Sequence, residues 1–120
     1  MKKILLAAVV LILFAGRVFA HEPSAINLSY DPETKILKAD IIHPTTNMRK
    51  HHIRLVKVYK NGEEMDSKYV PRQISPEGYK YETKIDAQPG DVLSVKAYCS
   101  DGGEREESLT LEQPAGEAKK

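Results

Sequence analysis

Tryptophan is absent from this 120-residue chain, and Cys99 is its only cysteine. A single thiol cannot form an intrachain disulfide, so the class of small disulfide-stapled domains is excluded. Glycine and proline are also few, with seven of each, which excludes collagen-like and low-complexity chains. The chain is 41% hydrophobic and 29% charged, a composition typical of one globular domain.

The N-terminal segment predicts a signal peptide. Lys2 and Lys3 precede an apolar run over residues 4–15, and the segment ends in Val-Phe-Ala, which suits cleavage after Ala20. The run is shorter than the roughly 20 apolar residues that a membrane-spanning helix needs, so no membrane anchor is expected. We therefore expect residues 1–20 to be removed and the mature protein to be secreted into the periplasm.

Removal of this segment would change both the charge and the composition of the core. Lys2, Lys3 and Arg17 would leave, so 15 basic residues would face 17 acidic ones, a net charge of about −2. A weakly acidic domain lacks the positive field that nucleic-acid binding needs, so a nucleic-acid partner is excluded. Both Phe residues would leave as well, and we expect a core of Ile, Leu, Val, Ala and the six Tyr. Residues 113–120 have no apolar pattern and are predicted to be a disordered tail.

Seven short segments with alternating or β-rich composition lie between these ends, and none has a sustained helical period. They cover residues 25–30, 35–42, 53–59, 65–70, 79–85, 92–99 and 108–111. Asn61-Gly62 supplies the positive φ angles of a tight hairpin between the third and fourth segments. Seven strands in about 90 residues predict an all-β, seven-stranded immunoglobulin-like β-sandwich over residues 21–112.

The residues that could carry chemistry are four histidines and the cysteine. His21 opens the predicted mature chain, His43 continues the apolar face of the second strand, and Cys99 ends the apolar face of the sixth. His51 and His52 precede the third strand and would point to opposite faces, so at most one of them faces the same site as the others. Imidazoles and a thiolate together are ligands that iron, zinc and copper accept.

The same residues are also compatible with structural roles. Cys99 could pack as a small hydrophobic residue, and His43 could be a buried, hydrogen-bonded histidine. The histidine spacing fits no standard zinc motif. A catalytic Cys–His pair would need an orienting group, which the sequence does not reveal.

Four short motifs carry a resemblance to a known family. They are His21-Glu22-Pro23, His43-Pro44, His51-His52-Ile53 and Ala97-Tyr98-Cys99, the last before a glycine turn. Together they resemble the ferrous-iron domain of the desulfoferrodoxin and superoxide reductase family over residues 21–111. In that family an immunoglobulin-like sandwich holds iron through four His and one axial Cys, and the open sixth position reduces superoxide to peroxide. The resemblance implies a mononuclear iron site at His21, His43, His51 and Cys99.

Two departures from the family pattern bear on activity. The family's fourth His corresponds to Gly102, and the Glu-Lys pair before its first His corresponds to Phe19-Ala20 in the predicted signal peptide. One imidazole and one cation that would meet an anionic substrate are therefore missing. We expect a metal-binding protein with redox chemistry. Whether superoxide or a redox protein is its reaction partner stays open.

Two other hypotheses also stay open. Residues 43–44, 56–62 and 102–107 are similar to the Z subunit of the periplasmic sulfur-oxidation carrier, which implies a non-enzymatic sandwich that supports a partner protein. Cleavage after Ala20 would also place the α-amino group of His21 beside its imidazole, and two such nitrogens suit Cu(II). Copper is therefore the alternative to iron.

Overall fold

The computed structural model of the protein describes residues 22–112, which consist of strands and their connections. The strands are β1 (Ala25–Asp31), β2 (Ile36–Ile42), β3 (Ile53–Lys60), β4 (Glu63–Tyr69), β5 (Gly78–Lys84), β6 (Val92–Cys99) and β7 (Glu104–Thr110). The predicted signal peptide, His21 and the predicted tail at 113–120 lie outside the described residues. Within residues 22–112 there is no helix long and apolar enough to cross a membrane.

The strands form two antiparallel sheets that pack as a sandwich. One sheet has the order β1-β2-β5 and the other the order β4-β3-β6-β7. The prediction of an all-β, seven-stranded sandwich is therefore confirmed. In constant-type immunoglobulin domains the fourth strand joins the sheet of the first, second and fifth, whereas β4 here pairs with β3 in the opposite sheet.

Two strands begin at least two residues earlier than the sequence pattern predicts. β4 begins at Glu63, directly after the Asn61-Gly62 turn, whose φ angles of 53° and 85° are the two positive values of a type I′ hairpin. β7 begins at Glu104 rather than at residue 108, so the acidic run at 104–107 is the first half of an edge strand. In both places the added residues are all charged, and a run of charged residues has no apolar period that marks a strand.

Alternating residues of facing strands form the core between the sheets. The buried hydrophobic residues are Ile26, Leu37, Ala39, Ile41, Ile53, Leu55, Val56, Val58, Val70, Ile85, Leu93, Val95, Ala97 and Cys99. The expectation that Tyr would share this core is wrong: Tyr30, Tyr79 and Tyr81 only pack against its margin. A phenol hydroxyl needs a polar partner, as in the 2.7 Å bond from Tyr30 Oη to Ile85 O, and so the rings stay at the rim.

Asp66 ties the two sheets together. Its Oδ2 accepts hydrogen bonds from the Tyr81 hydroxyl and, at 2.9 Å, from the Thr83 hydroxyl, so β4 of one sheet is joined to β5 of the other. The Tyr81 hydrogen bond holds the pKa of Asp66 below its usual range, although burial acts against it. The pKa of Tyr81 is raised to about 12, mainly by burial and secondly by the hydrogen bond to Asp66.

Three strand ends meet at one end of the sandwich. β2 ends at Ile42, β3 begins at Ile53 and β6 ends at Cys99, and Ile53 pairs with Cys99 in the antiparallel register. The loop at 43–52 carries the chain from one sheet to the other across this end. The first described residues approach the same end, because Ser24 N donates to Ile42 O at 2.8 Å.

Candidate metal centre

His43 follows β2 directly and continues its inward-facing alternation. The residue is 2% exposed, and its backbone N donates to Glu77 O at 2.8 Å. In the ring, Nε2 lies 3.2 Å from Cys99 Sγ, and Nδ1 lies 2.6 Å from Gln73 Oε1. Both ring nitrogens are engaged, so the direction of the imidazole is fixed from two sides.

Cys99 is the last residue of β6 and faces the interior, with 1% of its surface exposed. Burial raises the pKa of its thiol, while the hydrogen bond that Asp101 N donates to Sγ at 3.4 Å acts in the opposite direction. A buried thiol with a raised pKa is a poor nucleophile, because the thiolate is the reactive form. A metal ion also binds the thiolate, so a ligand role requires the cation to offset the effect of burial.

His51 lies at the rim of the same end of the sandwich. It precedes β3, its side chain is 22% exposed, and its backbone N donates to Asn47 O at 2.8 Å. The His51 and His43 rings meet edge to face, with centroids 4.7 Å apart and an interplanar angle of 79°. His51 Nε2 is 3.7 Å from Asp101 Oδ2, a carboxylate that is 45% exposed. His51 thus lies between the buried pair of His43 and Cys99 and an acidic group near solvent.

The ligand atoms of His43, His51 and Cys99 all lie within 4.8 Å of one another. Zinc–sulfur and zinc–imidazole bonds of about 2.3 and 2.1 Å place the two ligand atoms about 3.1 Å apart at a right angle and about 4.4 Å apart when opposite. The 3.2 Å separation of His43 Nε2 and Cys99 Sγ falls within this range. A separation of 4.8 Å exceeds the upper value of about 4.4 Å, so His51, which lies at the rim, would move slightly inward to bind the same ion. This buried cluster could bind a metal ion.

The neighbouring imidazole of His52 has different surroundings. It is buried, its backbone N donates to Ser100 Oγ at 3.0 Å, and its Nε2 donates to Val70 O at 3.0 Å. A carbonyl oxygen only accepts, so Nε2 carries the proton. Of the adjacent histidine pair, only His51 joins His43 and Cys99.

Gln73 is a buried part of this centre that the sequence did not identify. It is 1% exposed, its Oε1 contacts His43 Nδ1, and its Nε2 donates to His43 O at 3.1 Å and to Ser75 O at 3.0 Å. Residues 70–77 connect β4 to β5 and have no hydrophobic alternation. Glutamine in such a segment is ordinarily exposed, so no sequence signal distinguishes it from a surface residue.

Two positions of the sequence-based ligand pattern contribute no described side chain. His21 lies outside the described residues, which begin at Glu22. Gly102, which corresponds to the family's fourth His, has a φ of 108°, and a Cβ added there would meet no atom within 4 Å. The centre in the described residues therefore consists of two imidazoles and one thiol.

Comparisons with known proteins do not assign the chain. No protein-family model matches it, and no curated protein matches it either.

Proposed function

We propose that the protein is a metal-binding domain that holds one ion through His43, His51 and Cys99. The observation that carries the proposal is the convergence of two imidazoles and one thiol within 4.8 Å at a buried strand end. Packing of a cysteine in the core does not require two histidines beside it. Iron is the metal that we favour, because the motifs resemble the desulfoferrodoxin family and because thiolate and imidazole ligands suit iron.

Each residue has a separate part in such a centre. His43 binds through Nε2, because Gln73 already engages Nδ1. Cys99 must lose its proton to bind, and a bound cation reverses the effect of burial on its thiol. His51 completes the set from the rim. When bound, iron would supply one-electron redox chemistry to the centre.

We also propose His21 as a further ligand of a secreted, periplasmic protein. The described chain begins one residue later, Pro23 is buried, and Ser24 N bonds to Ile42 O at the end of the sandwich where His43 lies. Cleavage after Ala20 would give His21 a free α-amino group beside its imidazole, which is also the basis of the copper alternative. An intact-mass measurement of the mature protein tests this step. A chain that begins at any other residue would remove the amine chelate.

Superoxide reduction is the reaction that the resemblance suggests for this centre. Gly102 supplies no imidazole, and the cations near the centre in sequence are the exposed Arg49 and Lys50 of the 43–52 loop and the exposed Arg54 of β3. We therefore expect ferrous protein to react with superoxide more slowly than complete members of the family. Rapid mixing, followed through the iron–thiolate absorption, measures this rate. Oxidation as fast as that of a complete reductase would show that the missing imidazole is dispensable.

Elemental analysis of protein purified without oxygen tests the metal proposal itself. We expect close to one equivalent of metal in the natural chain, a large loss in Cys99→Ser, and retention in His52→Gln, whose imidazole lies outside the cluster. Absence of metal from the natural chain at near-unit occupancy would overturn the proposal. That result would favour the interaction-protein hypothesis, for which Tyr69 and Ile74, 75% and 83% exposed, are apolar side chains that a partner would cover.

A further inference from the structure

The side-chain amide of Gln73 has only one orientation that satisfies its neighbours. Its Oε1 lies 2.8 Å from Ile53 N, a backbone group that can only donate. Its Nε2 lies 3.1 Å from His43 O and 3.0 Å from Ser75 O, which can only accept. Exchanging the oxygen and the nitrogen would place like groups against each other at all three contacts. The identity of Oε1 is therefore fixed by the backbone around it.

This orientation determines which nitrogen of His43 carries a proton. Gln73 Oε1 is an acceptor and lies 2.6 Å from His43 Nδ1, so Nδ1 must donate. A neutral imidazole has one N–H, which leaves the lone pair on Nε2. That nitrogen faces Cys99 Sγ at 3.2 Å. The metal-free ring is thus held with its ligating lone pair directed at the sulfur.

We propose that Gln73 is a positioning residue, which fixes the Nδ1–H tautomer of His43 and thereby prepares Nε2 to bind the metal; this inference rests on the proposed metal site. Metal-binding histidines commonly donate their second N–H to a fixed acceptor, and loss of that acceptor weakens metal binding. Here the acceptor is an amide rather than a carboxylate. The effect on His43 therefore arises from hydrogen bonding and not from an added charge.

The backbone contacts of Gln73 extend its role beyond one ring. Gln73 N donates to Met48 O at 3.0 Å, in the loop that carries the chain from His43 to His51. Its Oε1 also binds Ile53 N, at the start of β3. One buried side chain thus connects His43, at the start of this loop, and Ile53, directly after its end, with the 70–77 segment. A substitution that removes the amide would release the His43 ring and the two ends of the loop that carries His51, while the backbone bond to Met48 O would remain.

The tautomer can be read in the natural protein without any substitution. Nitrogen-15 NMR of the metal-free protein at pH 8, above the ordinary histidine pKa of about 6.5, distinguishes protonated from unprotonated ring nitrogens. We expect a protonated Nδ1 and an unprotonated Nε2 for His43, with Nε2 as the nitrogen that shifts when Zn²⁺ is added. A protonated Nε2 in the metal-free protein would overturn the inference.

Two variants then separate positioning from general stability. Gln73→Met removes the acceptor and should weaken Zn²⁺ binding about 10- to 100-fold. Gln73→Glu keeps an oxygen for His43 and Ile53, and should bind Zn²⁺ within about threefold of the natural chain, even if it melts at a lower temperature. Val58→Ala, a core change in the middle of β3, is the control for lost stability and should leave both affinity and tautomer unchanged.

The outcomes distinguish the inference from the proposed function. If the natural chain binds neither Zn²⁺ nor Fe²⁺, the metal site itself is refuted, and the positioning role falls with it. If the natural chain binds Zn²⁺ but Gln73→Met binds equally tightly, the metal site stands and the role of Gln73 is refuted. Equal losses in Gln73→Met and Gln73→Glu would indicate that the residue acts only through folding.

Discussion

The two buried histidines of this protein allow a matched test of the metal centre. His43 and His52 are 2% and 9% exposed, and each uses a ring nitrogen in a buried hydrogen bond. Only His43 has a nitrogen beside Cys99 Sγ. Replacing each imidazole by glutamine, in separate variants, changes a buried polar side chain of similar size in both cases but removes a metal ligand in only one.

The expected effects differ in kind. Structural zinc sites release about 10–16 kcal/mol through four ligands, or about 3 kcal/mol per ligand, so His43→Gln should raise the metal Kd roughly a hundredfold. His52→Gln should change the Kd less than about threefold, because the His52 imidazole lies outside the cluster. Each variant should lose about 1–2 kcal/mol of unfolding free energy, since each disturbs a buried hydrogen bond.

The assay is competition between the protein and a chromogenic chelator for Fe²⁺ or Zn²⁺, with chemical unfolding of the metal-free variants as the measure of stability. We expect similar losses of stability and widely different losses of metal affinity in the two variants. Equal losses of affinity would refute His43 as a ligand. A larger loss of affinity in His52→Gln than in His43→Gln would show that His52, and not its neighbour His51, faces the metal.

Three further predictions address the thiol, the link between the sheets and the backbone near the centre. Metal binding at pH 8 should release about one proton from Cys99, because burial raises the pKa of its thiol and only the thiolate binds. Calorimetry in buffers of different ionisation enthalpy measures the number of protons released, and equal release by Cys99→Ser would contradict the assignment of Cys99 as a ligand. Tyr81→Phe should lower the unfolding free energy by about 1.5–3 kcal/mol, because it removes the hydrogen bond to Asp66. Folding raises the pKa of Tyr81 from its usual value near 10 to about 12, so this stabilisation should be complete below pH 10 and lost as the pH rises through 12. An alkaline unfolding curve of Tyr81→Phe identical to that of the natural chain would refute the link between the sheets. Gly78→Ala should lower the unfolding free energy by about 3 kcal/mol or more, because the added Cβ would lie 1.9 Å from Ile41 O at a φ of 156°. Gly102→Ala, whose Cβ would meet no atom within 4 Å, should lower it by about 1 kcal/mol. Similar unfolding midpoints for the two variants would contradict this difference.

The fold could largely be predicted from the sequence because strand periodicity reports which residues face inward. The alternation that places Leu93 and Cys99 on one face of β6 is the burial pattern of the structure. The Asn61-Gly62 turn is likewise where the sequence predicts a hairpin. That hairpin also predicts the pairing of β3 with β4, which the structure confirms. Periodicity does not report which non-consecutive strands pair, and so the pairing of β3 with β6 and the link through Asp66 to the other sheet needed the structure.

The candidate site was predictable only in part, for a related physical reason. His43 and Cys99 are extensions of apolar strand faces, so their burial follows from local pattern. Gln73 lies in a connection without periodicity, and its contacts reach residues 20 and 30 positions away in sequence. Such contacts depend on how the loops close over the end of the sandwich, which no local pattern encodes. The roles of His21 and of iron stay predictions from the motifs.

X-ray absorption spectroscopy at the iron edge, on anaerobic mature protein loaded with one equivalent of Fe²⁺, tests the central claim most directly. The claim is that one metal ion is held by His43, His51 and Cys99. It predicts one sulfur and at least two imidazole nitrogens around the iron, with the sulfur lost in Cys99→Ser and retained in His52→Gln. A spectrum of the natural protein with only oxygen and nitrogen neighbours would contradict it.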